Sequence, residues 1–189
     1  MKSIKKITAL FVVLLATHYC KASVVELTSG SLTTLKGSAS INIQYDFSEL
    51  TVSGYPTLEE FVAYKKKKYQ DVNPGKSGDE WYKNWIYNRE HVMIPKIEEV
   101  MNKKLGKCGI EVKQNSGAKY TLIVKITHYI ETQTGFPYFI GIPTMFEAKV
   151  YLVETSAPQT KLATIRADYL RDVGDMGGSI GNLICKNLK

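Results

Sequence analysis

The sequence predicts an α+β domain: a mainly antiparallel sheet of about five strands with helices packed on one face, in the order β-α-α-β-β-β-β-α. Three observations lead there. Apolar residues recur with period 2 at Ile41, Ile43, Tyr45 and Phe47, and again at Leu122, Val124, Ile126 and Ile130, the mark of strands with one buried face. Between these stretches the period is helical, with Ile97, Val100, Met101 and Leu105 on one stripe. Strands and helices are therefore grouped rather than alternating, which favours a sheet covered by helices over a doubly wound fold.

The elements follow in order. Ser23 to Gly37 is rich in Ser and Thr and reads as an edge strand or a loose lead-in. Ile41 to Phe47 is the first clear strand, and Gly54 and Pro56 end it. Thr57-Leu58-Glu59-Glu60 has capping-box spacing, so a helix begins at Thr57. Leu58, Phe61, Val62 and Tyr69 form its expected inner face, and Asn73-Pro74-Gly75 ends it. A second helical stretch opens near Asp79. Pro95 either kinks it or, better, occupies the first turn of a new helix, where a missing N–H costs nothing. Glu98 and Glu99 then sit near the positive end of the helix dipole, Lys103 and Lys104 near the negative end, and Gly106 follows as C-cap. Four strands come next: Ile110 to Gln114, Tyr120 to Glu131, Met145 to Glu154 and Leu162 to Tyr169. Asn115 to Gly117 and Ala157 to Thr160 read as hairpin connections. Gly174 to Gly178 reads as a flexible link, with Ser179 capping a last helix through Ile180, Leu183, Ile184 and Leu188.

The N-terminus is expected to direct export. Lys2, Lys5 and Lys6 precede a short apolar run from Ile7 to Thr17, and Cys20-Lys21-Ala22 offers small residues for cleavage. Residues 1–22 are thus a signal peptide and residues 23–189 a single domain. The run is too short for the ~20 residues of a spanning helix, so no transmembrane helix is expected in the mature chain. Lipidation of Cys20 competes with simple cleavage and is disfavoured by the bulky Tyr19 before it. The protein belongs in the periplasm, on the outer membrane surface or in the medium. Of 25 basic and 18 acidic residues, four basic ones fall in the signal, leaving 21 against 18, or +3. That is too weak for a nucleic-acid partner. The dense run Lys65 to Lys68 reads as the solvated side of a helix.

Two resemblances can be placed on these residues. Ser29-Gly30-x-Leu32-x-x-Leu35-Lys36-Gly37, Ile43-x-Tyr45-Asp46-Phe47-Ser48, Asn73-Pro74-Gly75, Asp79-x-Trp81-x-x-x-Trp85-x-x-x-Arg89, Pro95-Lys96-Ile97 and Asn102 resemble a family of small exported proteins of gut Bacteroidales. That resemblance covers about the N-terminal half of the mature chain and implies no activity. The order of elements, ending in a helix after a Gly-rich link, is similar to bacterial envelope accessory domains such as the N-terminal domain of the translocation protein TolB and the curli secretion protein CsgG. This similarity implies binding or assembly in the cell envelope.

Catalytic chemistry finds little footing. His91 and His128 lie in different elements without a metal-ligand companion. Gly178-Ser179-Ile180-Gly181 lacks the flanks of a serine-nucleophile turn, and Gly177-Gly178-x-x-Gly181 lacks the lysine of a phosphate loop. Asp79-Glu80 and Glu98-Glu99 are explained by helix starts, and Asp172 and Asp175 show no calcium-loop spacing. No catalytic residue, metal or cofactor is expected. The remaining candidates are interaction residues: Phe136, Tyr138, Phe139, Ile140 and Ile142, in a connection stiffened by Pro137 and Pro143. Trp81, Trp85 and Arg89, four residues apart on one helix face, are either core or a ligand platform. Cys108 and Cys185 are either a disulfide, which export would permit, or two buried thiols. The expected function is an exported, non-enzymatic binding or assembly module of the envelope, acting through a protein partner or self-association. The alternatives are a glycan- or lipid-binding domain using aromatic residues, and an enzyme of unrecognised type.

Overall fold

The computed structural model describes residues 23–114, 117–130 and 145–189. The chain is α+β, built on one seven-stranded sheet. Its strands are β1 (Val24–Gly30), β2 (Ser40–Asp46), β3 (Thr51–Val52), β4 (Glu111–Lys113), β5 (Tyr120–Ile130), β6 (Met145–Glu154) and β7 (Ala157–Leu170). The helices are α1 (Leu58–Val72), α2 (Gly78–Asn88), α3 (Ile94–Leu105) and α4 (Val173–Leu188).

The sheet is mixed, and this corrects the expectation of a mainly antiparallel one with about five strands. Its order is β1-β7-β6-β5-β2-β4, with β3 also on β5. The β5, β6, β7 and β1 pairs are antiparallel. On its other side β5 pairs in parallel with β2 over residues 121–125 and with β3 at His128 and Tyr129. β2 in turn pairs in parallel with β4. β4 and β5 are therefore not neighbours, since β2 lies between them; Asn115 and Ser116 of the expected hairpin connection lie outside the described residues. Nor does Ala157 to Thr160 form the second connection: the turn is Thr155-Ser156 and Ala157 already belongs to β7. Thr155 anchors that turn, its amide donating to the Lys119 carbonyl and its hydroxyl to that of Ala118.

One face of the sheet is dry. Ile41, Ile43, Leu122, Val124, Ile126, Ala148, Val150, Leu152, Ala163 and Ile165 are buried there with Ile97, Met101 and Leu105 of α3 and Met176, Ile180 and Ile184 of α4. Among the described residues, α3 and α4 cover this face together with Leu32 and Leu35 of the segment after β1. α1 and α2 pack on each other as a hairpin, with α1 touching β3. Of the four residues expected to bury α1, only Phe61 is fully enclosed. Thr57 does cap α1, accepting from the Glu60 amide at 3.1 Å.

α2 runs into α3 through a π-helical turn, Arg89–Met93, and Pro95 stands in the first turn of α3. Beyond α3 the chain does not stop at Gly106. It tightens into a 3-10 turn, Gly106–Cys108, before Gly109 adopts the left-handed conformation. Beneath α3, the Tyr45 phenol is buried near Glu98; burial first, and the Glu98 charge second, hold its pKa far above the ordinary value.

The glycines read as a flexible link are instead the first two turns of α4. Asp172, not Ser179, caps the helix, accepting from the Asp175 amide at 2.7 Å. Ser179 sits about two turns inside and donates to Asp175. The glycines allow α4 to lie directly on α3: a Cβ on Gly177 would come within 2.3 Å of the Ile97 carbonyl oxygen.

Asn102 of α3 closes the outer edge of the sheet. Its Nδ2 donates to the Val112 carbonyl at 2.9 Å, and its Oδ1 accepts from the Val112 amide at 2.7 Å. Since β4 spends its other hydrogen bonds on β2, the side chain acts as a one-residue surrogate strand that covers an otherwise open edge. Asn102→Ala orphans both backbone groups and is expected to cost roughly 2 kcal/mol. The midpoint of thermal unfolding should fall accordingly, and exchange of the Val112 amide should accelerate more than that of Leu122.

Candidate functional site: an apolar groove under Trp85 and Arg89

Trp81, Trp85 and Arg89 are spaced by four, so α2 and the turn after it stack them on one side. The two indoles are parallel, with centroids 5.9 Å apart. Phe61 of α1 meets both edge-on at 6.0 and 6.1 Å, a geometry that aligns the positive ring edge with a negative face. Trp81 is thereby committed to the helical hairpin. Trp85 and Arg89 go on to line a groove of about 450 Å³.

The rest of the groove comes from distant segments. Phe47 and Leu50 follow β2, Ile126 and Tyr129 lie on β5, and Phe146 on β6. Val92, 59 % exposed, stands on the rim. Tyr129 and Phe146 face each other across the β5–β6 pair at 5.3 Å. Among the described residues, Asn88, Arg89 and the hydroxyl of Tyr129 bring polar groups to this lining.

Arg89 lies across the aromatic wall. Its guanidinium carbon is 4.5 Å from the Phe47 ring centroid and 6.0 Å from that of Trp85. Nη2 donates to Glu90 at 3.2 Å, while Nε is buried without a hydrogen-bond partner among the described residues. Glu90 is half exposed, so this pair is solvent-screened and weak. A cation therefore stands over apolar surface with donor capacity to spare.

The other sequence candidates fall elsewhere. Cys108 and Cys185 are bonded to each other, with Cα atoms 5.8 Å apart. They lie beside a second depression bordered by Leu35, Lys107, Ile110 and Leu188. Phe136, Tyr138, Phe139, Ile140 and Ile142 lie outside the described residues, as do residues 1–22 with Cys20. His91 stacks on Tyr87 at 4.2 Å in the π-helical turn. His128 bridges β3 to β5: Thr51 Oγ1 is 2.7 Å from Nδ1 and Ser53 Oγ is 2.8 Å from Nε2. Thr51 gives its proton to the Thr127 carbonyl, so Nδ1–H donates to Thr51 and Nε2 accepts from Ser53. Among the described residues no group of three His, Cys, Asp or Glu could hold a metal, and no helix is long and apolar enough to cross a membrane.

No family model matches the chain, and no curated protein does. Solved structures similar to it include the PelC dodecamer from Paraburkholderia phytofirmans and a single-substitution variant of that dodecamer. Each is 10% identical, with a TM-score of 0.42, over 88% of this chain and 97% of the other. Similarity at that level carries no argument about what this chain binds.

The Phe47, Leu50, Tyr129 and Phe146 walls escape sequence reasoning because nothing local ties four separate segments to one place. The signal that could have found half of the site was the four-residue spacing of Trp85 and Arg89.

Proposed function

We propose that this chain is an exported, non-enzymatic binding module of the bacterial cell envelope, and that the groove under Trp85 and Arg89 is its binding surface. The observation that carries the reading is the groove's lining: a floor of buried Leu50, Ile126 and Phe146, half-buried Phe47, Trp85 and Tyr129 along it, exposed Val92 at the rim, and one cation laid across it. Apolar concavities with a few placed polar groups are the usual form of a binding site. Export is supported by the basic, apolar and small-residue parts of the N-terminus. The bonded cysteines fit the same compartment, since disulfides persist outside the reducing cytoplasm. Ile130 and Met145, which pair at the ends of β5 and β6 next to the groove, also flank the segment that holds Phe136 and Phe139. Phe136, Tyr138, Phe139, Ile140 and Ile142 stay proposed contact residues on the strength of the sequence alone.

Val92 offers a clean test because it is exposed and lies on the rim. Val92→Asp puts a charge there without opening the core, so the thermal midpoint should move by less than about 0.5 kcal/mol in stability terms. Chemical cross-linking in intact cells of the native organism should then lose the adducts formed by the unaltered protein. Identical adducts from both proteins would remove the groove as the contact surface. A signal-bearing precursor that stays in the cytoplasm would remove the envelope assignment.

The lining favours one alternative over another. A glycan platform needs many polar side chains around its aromatic faces, and among the described residues the groove supplies Asn88, Arg89 and the Tyr129 hydroxyl. The composition suits an apolar chain with a single polar end.

A further inference from the structure

We infer that the groove takes an anionic amphiphile, a free fatty acid, with its acyl chain along Phe47, Ile126 and Phe146 and its carboxylate on Arg89. The inference rests on the groove's being the binding surface and adds the chemistry of what occupies it.

Charge complementarity selects the head group. Arg89 is fixed over the Phe47 and Trp85 rings at 4.5 and 6.0 Å, so its rotamer freedom is already lost before a ligand arrives. A guanidinium presents a planar fork of donors that matches a carboxylate in two parallel bonds. Among the described residues its ion-pair partner is the adjacent, half-exposed Glu90, through Nη2. Nε is buried and has no partner among the described residues, so the fork is only part used. A carboxylate entering the groove would displace Glu90 into water at little cost and meet the fork where the surroundings are apolar. There, the interaction is stronger than at an open surface. Asn88, one residue before Arg89 and also on the lining, supplies a further amide for the second carboxylate oxygen.

The remaining lining selects the tail. Phe47, Leu50, Ile126, Tyr129 and Phe146 come from the sheet side and Trp85 from the helix side, leaving a slot between apolar walls. A volume of about 450 Å³ falls within the range of sites that hold small ligands. A cationic or neutral head would gain nothing from Arg89, and a cationic one would be repelled.

Three probes with the same ten-carbon tail decide the matter: decanoate, decanol and decyltrimethylammonium, each below its micellar concentration. Residues 23–189 contain both tryptophans of the chain, Trp81 and Trp85, so quenching or shift of indole emission reports occupancy without a label. Decanoate is expected to bind on the order of ten-fold more tightly than decanol, the worth of a hydrogen-bonded ion pair. Decyltrimethylammonium should bind more weakly than decanol. In Arg89→Gln the preference for decanoate should vanish while decanol still binds. Arg89→Lys, which keeps the charge and loses the fork, should retain only part of it. Raising salt should erode the preference and leave decanol unchanged. Equal binding of decanoate and decanol to the unaltered protein would overturn the fatty-acid assignment and leave the groove standing as a binding surface. Failure of all three probes to perturb the emission would overturn the fatty-acid assignment, while the Val92→Asp cross-linking decides separately whether the groove is a contact surface.

Discussion

Gly177→Ala should destabilise the protein by roughly 3 kcal/mol, while Gly178→Ala, one residue on, should be neutral or stabilising. The two glycines share a helix and differ only in what faces them. A methyl on Gly177 would meet the Ile97 carbonyl oxygen at 2.3 Å, the Ile97 carbonyl carbon at 3.1 Å and the Met101 amide nitrogen at 3.2 Å. All three are backbone atoms of α3 and cannot turn aside, so the helices must part. Separation would loosen Met176, Ile180 and Ile184 from Ile97 and Met101, which are all fully buried. On Gly178 the same methyl meets the Val100 side chain at 3.4 Å and the end of Lys104 at 3.7 Å. These are ordinary contacts, so the change keeps only its benefit: alanine lowers the entropy lost in forming a helix by up to about 1 kcal/mol. Thermal unfolding of the two variants beside the parent decides the point. Equal losses in both would mean that α4 does not lie on α3 as described.

The second large effect belongs to Cys108 and Cys185. Their bond closes a loop of 77 residues, and constraint of the unfolded chain over that length is worth roughly 4 kcal/mol. Replacing both cysteines with serine should lower stability by about that amount, and dithiothreitol should bring the parent protein down to the same level. The serine variant should be indifferent to the reductant. A parent protein, starting at Ser23, that titrates two free thiols when denatured without reductant would contradict the bond. Losses from Gly177→Ala and from the cysteine change should not add, because both act where α4 meets α3 and neighbouring changes share their consequences.

The parts of this fold legible in the sequence are those with a local cause. Leu122, Val124 and Ile126 alternate because one face of β5 is dry, and the sequence carries that pattern whatever the strand's partners are. Thr57 and Pro95 mark helix starts through their own hydrogen-bonding chemistry. Strand partners have no such local cause. Nothing in Ser40 to Asp46 says that it will lie parallel between β4 and β5, since both neighbours are distant in the chain and the alternation would suit a hairpin equally. The Gly174 to Gly178 stretch misleads for the opposite reason. Glycine is a poor helix former in isolation, so local rules read a link, whereas the close approach of α3 demands a residue without a Cβ at Gly177. The candidate site divides along the same line: Trp85 and Arg89 could be seen together, but Phe47, Ile126 and Phe146 join them only through the sheet.

The pairing of β1 with β7 sets an order of events. Val24 lies opposite Asp168 and Gly30 opposite Ala163, so the first strand of the domain finds its partner in nearly the last. β2 likewise waits for residues 121–125. Strands β5, β6 and β7 follow one another in antiparallel pairing and can assemble among themselves. A chain delivered from its N-terminus, by a ribosome or through a membrane pore, therefore leaves β2 without a partner until residues 111–125 have emerged and β1 without one until residues 163–168 have. Long-range pairing of this kind slows folding. Under the export proposed above, that delay keeps the chain in a state that can be threaded across a membrane.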